Sequence, residues 1–193
     1  MNSGVIGKPD WESLYRIAAS QEGQFTTDQA VAVGYSSPLL THHLKAGKIV
    51  RIRHGIYRLV HFPPGDQEEL VTAWLWTDSV GVFSHQTALL LHGLSDILPA
   101  QIHVTLPSDW RKRRFRLPQG MSLHYADLRD SDRVWCGAVP ITSPGRTLCD
   151  CAIVGLSPDL LRQATRQAIG RGLVQNKELT QVRKSLEPFG GIE

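Results

Sequence analysis

The sequence predicts an α+β protein in two parts: short helices followed by a β-hairpin, and then a small mixed α+β domain. Three observations carry this. Apolar residues recur at three- and four-residue spacing in short segments up to about residue 46, Lys48 to Val60 alternates with strand period, and helical and strand patterns mix beyond Phe62-Pro63-Pro64-Gly65. That last stretch has linker composition, so the predicted domains are residues 1–62 and 66–193.

The 193 residues can bury one sizeable core or two small ones, and 41% hydrophobic with 20% charged residues excludes a fibre or a disordered tail. No run approaches the roughly 18 apolar residues of a membrane span. The start MNSGVIGKPDWES lacks a basic segment followed by an apolar one, so no signal peptide is expected and the predicted location is cytoplasmic. Cys136, Cys149 and Cys151 form no CxxC pair, which argues for reduced structural thiols rather than a disulfide framework or a zinc ribbon.

From Pro9 to Ala19, Trp11, Leu14, Ile17 and Ala18 lie at helical spacing, with Asp10 placed to cap the first helix. Thr26-x-x-Gln29 has the form of a capping box before Ala30-Val31-Ala32-Val33, and Gly34 ends that second, short helix. Ser37-Pro38 opens a third, with Leu40 and Leu44 on its buried stripe, closed by Ala46-Gly47. The second and third helices make a helix-turn-helix.

The hairpin KIVRIRHGIYRLV turns at His54-Gly55, because glycine tolerates the positive φ of a two-residue turn. An unbroken ladder from that turn pairs Arg53 with Ile56, Ile52 with Tyr57, Arg51 with Arg58 and Val50 with Leu59. Val50, Ile52, Tyr57 and Leu59 then form an apolar face, and Arg51, Arg53 and Arg58 a basic one. Two arginines directly opposed cost stability unless an anion covers them, so this face reads as a phosphate-binding wing and the first domain as a winged helix-turn-helix.

Charge is segregated along the chain. Between Asp28 and Asp66 there are five basic residues and no acid, residues 66–110 carry six acids and no Lys or Arg, and RKRRFR at 111–116 supplies five positive charges. Surface charge of no special purpose mixes both signs, so the pattern points to a polyanionic partner, double-stranded DNA. With Leu40 and Leu44 inward, Ser36, Ser37, Thr41, His42 and Lys45 face outward. Thr41 and His42 are the candidates for base edges, and Ser37, Lys45, Lys48, Arg51, Arg53 and Arg58 for the phosphate backbone. Arg111, Lys112, Arg113, Arg114 and Arg116, with Phe115 interleaved for stacking, form a second candidate nucleic-acid contact.

In the second domain, Gln67 to Trp76 and Ser84 to Leu91 read as helices, the latter capped by Ser84, and Ile102 to Leu106, Leu123 to Tyr125 and Val139 to Thr142 as strands. Ser143-Pro144 opens a helix through Cys151, and Pro158 to Ile169 forms another. No catalytic site is expected. Ser84-His85 with His92 lacks a GxSxG elbow, Asp130-Ser131-Asp132 reads as a polar turn rather than a metal-binding carboxylate pair, and neither a P-loop nor GxGxxG occurs. The eight histidines show no paired ligand spacing, so no metal and no cofactor are expected. Arg146 and Asp150 stand four apart and can pair on one helix face.

The helices followed by AGKIVRIRHGIYRL resemble the winged-helix domain of the AbiEi-type antitoxins, which show a Gly-x-Leu/Ile-x-x-x-x-x-Gly-x-Tyr segment there. FSHQTALLLHGL, IHVTLP and VPITSPGRTLCDCA resemble that family's C-terminal antitoxin domain, so the resemblance spans about residues 8–185. Gly145 departs from it, since an acidic residue is common before the Arg-Thr-Leu run. The resemblance implies a type IV toxin–antitoxin (abortive infection, phage defence) system. Its antitoxin represses its own operon, with protomers paired on inverted repeats, and opposes a nucleotidyltransferase-like toxin without a stable complex. Arg146 joins the 111–116 patch in that second role. A transcriptional regulator without a toxin, and a nucleic-acid-processing enzyme, stay open at this point.

Overall fold

A computed structural model describes residues 8–114 and 116–192. The chain divides into two compact units, one ending at Ser79 and the other beginning at Val80.

The first unit opens with α1 (Trp11–Ala19), capped by Asp10, whose carboxylate accepts from the Ser13 N–H at 3.1 Å. Leu14 and Ala18 turn inward. Glu22 and Gly23 then both take positive φ, 52° and 77°, and reverse the chain. Glycine is required at the second of these for an additional reason: a Cβ there would stand 2.6 Å from the Phe62 ring.

Between α1 and the second helix lies a strand that the sequence pattern does not reveal, β1 (Gln24–Thr26). Three residues are too few to establish a period, yet Phe25 within it is fully buried. The capping box at α2 (Thr27–Ala32) forms as expected: the Thr26 hydroxyl accepts from the Gln29 N–H at 3.1 Å, and the Gln29 side chain accepts from the Thr26 N–H at 2.9 Å. Next comes α3 (Ser37–Lys45), capped one residue earlier than the sequence suggests, by Ser36 accepting from the Leu39 N–H.

The hairpin is β2 (Ile49–Arg53) and β3 (Ile56–Leu59), and the sheet order is β1-β3-β2, antiparallel throughout. The His54-Gly55 turn forms, with Gly55 at φ 74° and Arg53 paired with Ile56. Beyond it the expected register fails. A bulge between Arg51 and Arg53 sets Arg51 opposite Tyr57, Val50 opposite Arg58 and Ile49 opposite Leu59. Because side chains alternate faces, one extra residue inverts every assignment past it. Ile49, not Val50, enters the core with Phe25, Tyr57 and Leu59, while Val50 and Ile52 are each 42% exposed.

Arg58 is the second correction. It sits on the central strand and its guanidinium donates to Glu68 Oε1 at 2.8 Å and to the Phe62 carbonyl at 2.9 Å, leaving its side chain only 13% exposed. Glu68 begins α4 (Glu68–Trp76), the helix expected at the head of the second domain. It packs instead within the first unit, where the buried Gln24 side chain donates to the Glu68 carbonyl and accepts from the Thr72 hydroxyl, both at 2.7 Å.

The second unit holds a five-stranded mixed sheet of β4 (Val82–Phe83), β5 (Ile102–Leu106), β6 (Met121–Tyr125), β7 (Arg133–Cys136) and β8 (Val139–Thr142), in the order β6-β5-β4-β8-β7. Helices α5 (His85–Leu91), α6 (Pro144–Ile153), α7 (Pro158–Gly170) and α8 (Thr180–Leu186) share a core built from Leu89, Leu148, Leu161, Ala164, Val182 and Leu186, among others. β4, β7 and α8 are not among the elements read from the sequence; β4 has only two residues. Ser84 precedes α5 but makes no side-chain cap, because its hydroxyl is held by Thr105 and His85.

Arg58→Ala removes the cation that meets a half-buried Glu68 and should cost about 2–3 kcal/mol in urea unfolding. Arg53→Ala, on the exposed turn, should change stability by less than about 0.5 kcal/mol. Equal losses in the two variants would contradict the assignment of Arg58 to the interior.

Candidate nucleic-acid interface

α3 presents two distinct sides. Leu40 is buried and Leu39 and Leu44 pack against the same core, while Ser37, Thr41, His42 and Lys45 are exposed. The Ser36 oxygen is committed to its cap, which leaves the hydroxyl proton free to donate. The Thr41 hydroxyl donates to the Ser37 carbonyl at 3.0 Å, so outward it offers lone pairs and a methyl group, suited to a base amino group or a thymine methyl. His42 turns its ring to solvent. His43 does not: it packs against Trp11 and Tyr35 with ring centroids 6.3 and 5.7 Å away, and burial pushes its pKa down.

Lys48 follows α3 and is exposed, as are Arg51 and Arg53 on β2. The bulge splits the two arginines. Arg51 shares a face with Tyr57, its guanidinium 5.6 Å from the ring centre and 3.4 Å from the hydroxyl, whereas Arg53 pairs with Ile56 on the other face. Among the described residues, none of Lys45, Lys48, Arg51 and Arg53 meets a carboxylate at salt-bridge distance. Among the described residues, four exposed cations without a carboxylate partner therefore lie along α3 and the wing, and Arg58 does not belong with them.

In the second unit the basic segment includes a short 3-10 turn, Ser108–Lys112. Arg111, Lys112, Arg113, Arg114 and Arg116 are exposed, and Phe115 lies outside the described residues. Two of the arginines cover aromatic rings, Arg113 3.9 Å above Trp110 and Arg111 5.5 Å above Tyr125. Arg146 is engaged elsewhere. Its Nε donates to Asp150 Oδ1 at 2.8 Å, and its Nη1 lies 3.7 Å from Asp132 Oδ2. It lines a cleft of about 430 Å³ with Arg129, Gly145, Cys149, Lys177 and Glu178, and none of residues 111–114 reaches that cleft.

Within this network the Asp130-Ser131-Asp132 stretch forms a 3-10 turn whose last carboxylate is buried and tied to Arg129 as well as Arg146. Burial alone would raise the Asp132 pKa, but the Arg129 hydrogen bonds and the charges of Arg129 and Arg146 outweigh it and hold the carboxyl below its usual range. Asp150 moves the other way, because burial exceeds what Arg146 returns.

The fold also assembles what the sequence disperses. His85 at the start of α5, His103 on β5 and His124 on β6 converge, with one ring nitrogen from each lying within 4.8 Å of the others. His103 Nδ1 stands 3.0 Å from His124 Nε2, and the His85 ring stacks on His124 at 3.5 Å. Burial, helped by the neighbouring imidazoles, lowers His85 to about 3 and His124 to about 4. Positions 85, 103 and 124 share no ligand spacing, and only the parallel pairing of β5 with β6 brings the last two together.

Helix, strand, two helices and a hairpin, in the order α1-β1-α2-α3-β2-β3, define a winged-helix unit, here joined to a mixed α+β unit. Residues 12–60 match the family described as "Transcriptional regulator, AbiEi antitoxin", so the likeness read from the sequence is found over that segment. Among solved structures, the RV2827C protein from Mycobacterium tuberculosis has a similar fold, with TM-score 0.52 and 16% identity over 93% of this chain and 76% of that one. No curated protein matches the chain. No helix among the described residues is long and apolar enough to cross a membrane.

The lowered Asp132 pKa carries a signed consequence. Its contribution to stability is present above the ordinary value of 3.8 and is lost as pH falls through the lower folded value. Urea unfolding from pH 7 to pH 3 should therefore show a steeper acid loss for the wild type than for Asp132→Asn; parallel curves would exclude this role.

Proposed function

We propose that the protein is a DNA-binding transcriptional repressor and antitoxin. Two protomers occupy inverted repeats in its own promoter, each laying α3 in a major groove with Thr41 and His42 against base edges. Ser37, Lys45, Lys48, Arg51 and Arg53 hold the phosphate backbone. The observation that carries this reading is the set of four exposed cations with no carboxylate partner, on the helix and ribbon that a winged helix turns to DNA. The match of residues 12–60 to a transcriptional-regulator family supports it.

The second unit, with residues 111–116 as an additional nucleic-acid contact, opposes a nucleotidyltransferase-like toxin of a type IV system without forming a stable complex with it. This half rests on the resemblance. It acts by binding rather than turnover, in the cytoplasm.

Four cation–phosphate contacts per half-site, at roughly −0.9 each, give a log K against log salt slope of about −4 for each protomer bound. Arg53→Ala should flatten that slope by about one unit and leave sequence preference intact, whereas Thr41→Ala should cost about 1–3 kcal/mol at one base position and leave the slope unchanged. Arg58→Ala should not alter the slope at all. Footprinting over the upstream promoter with titration in salt reads all three; salt-insensitive binding, or protection without a repeated half-site, would refute the repressor reading. For the antitoxin half, the Arg51→Ala/Arg53→Ala chain is expressed with the nucleotidyltransferase-like toxin that this reading expects in the neighbouring reading frame. Continued growth is expected, and arrest with both this variant and the wild type would refute it.

A further inference from the structure

We propose that His85, His103 and His124 form a binding site for a divalent transition-metal ion of the zinc class. The geometry lies wholly within the second unit and is independent of the DNA-binding reading. Three imidazoles from three elements offer nitrogens within 4.8 Å of one another, and no carboxylate or thiol belongs to the set. Imidazole nitrogen is a preferred donor for zinc, copper and nickel, and three of them with one open position is a recurrent zinc arrangement.

Of the three rings, His85 has the outer contact that a metal ligand ordinarily keeps. Ligating histidines ordinarily have their second ring nitrogen fixed by a hydrogen bond. Here Ser84 Oγ lies 2.8 Å from His85 Nδ1 and itself accepts from the buried Thr105 hydroxyl at 2.7 Å, which leaves Nε2 of His85 for the ion. His85 also takes φ 52°, a left-handed conformation that is uncommon outside glycine and is found where surroundings hold a functional side chain in place. His103 is anchored by its own backbone, whose N–H donates to the Thr87 hydroxyl at 2.8 Å.

Tetrahedral ligands at about 2.0–2.1 Å place their nitrogens roughly 3.4 Å apart. The His103–His124 pair at 3.0 Å therefore opens by a few tenths of an ångström, and the His85 ring swings out of its stack on His124. A neutral ligand set leaves the ion its full double charge, so the fourth position favours water, hydroxide or another anionic oxygen.

The full-length protein, stripped with a chelator and dialysed, is titrated with Zn²⁺ and separately with Co²⁺. One equivalent of zinc should bind saturably and raise the thermal midpoint. Cobalt should give visible tetrahedral d–d bands without the near-ultraviolet charge transfer of a thiolate, which separates this site from Cys136, Cys149 and Cys151. His103→Gln and His124→Gln should each weaken zinc by more than about 100-fold, and Ser84→Ala by about 10- to 100-fold, while His61→Gln, an exposed residue of the first unit, should change nothing. Absence of one-equivalent binding to the wild type, thiolate charge transfer with cobalt, or binding that survives His103→Gln/His124→Gln would each overturn the proposal. The cobalt spectrum of the wild type decides even where a histidine variant does not fold.

Discussion

The placement of β3 between β1 and β2 constrains everything that the first unit can display. A central strand has neighbours on both edges, and Tyr57 and Leu59 on it point to a core already occupied by Phe25. The alternate residue, Arg58, is left on the side where α4 arrives. A guanidinium in that position needs an anion and acceptors of its own, and Glu68 with the Phe62 carbonyl supplies them. The price of keeping an arginine on the central strand is thus a carboxylate that must come from beyond the proline-rich stretch, which draws α4 into the same unit. Arginines on β2, at the sheet edge, have no such demand and remain free to meet a partner from outside.

Local chemistry was legible in the sequence, and the reason is that its partners are three or four residues away. Asp10 with Ser13, Thr26 with Gln29, and His54-Gly55 at the turn all appear where the residue types require them. Ser37, Thr41, His42 and Lys45 face outward on α3 as helical spacing requires, whereas Ser36, expected with them, is half-buried as the cap. What was not legible depended on distant segments. The bulge at Ile52 goes with Ile49 rather than Val50 lying beside Leu59 in the core, a long-range choice that strand alternation does not encode. Arg58 looks like a surface cation until Glu68, ten residues on, is known to return to it.

In the second unit the same rule holds at longer range. Arg146 and Asp150 were readable as an i,i+4 pair, but Asp132, which joins them, stands fourteen positions before Arg146 and reads in isolation as part of a polar turn. The three histidines are the extreme case: residues on two parallel strands and at a helix start, each unremarkable in its own window. Charge patterning, by contrast, survived folding well, since Arg111, Lys112, Arg113, Arg114 and Arg116 are as exposed as their composition suggests, even while Arg146 serves an interior network.

The bulge has a corollary for the two faces of the ribbon. Both ends of the hairpin are pinned, Ile49 against Leu59 at the base and Arg53 against Ile56 at the tip, and the surplus residue sits between them. Were Val50 rather than Ile52 the surplus residue, Arg51 would fall opposite Arg58 and join Arg53 on one face, with both anchors keeping their partners. The place of one unpaired residue, rather than the identity of either anchor, thus sets which side of the ribbon carries each positive charge.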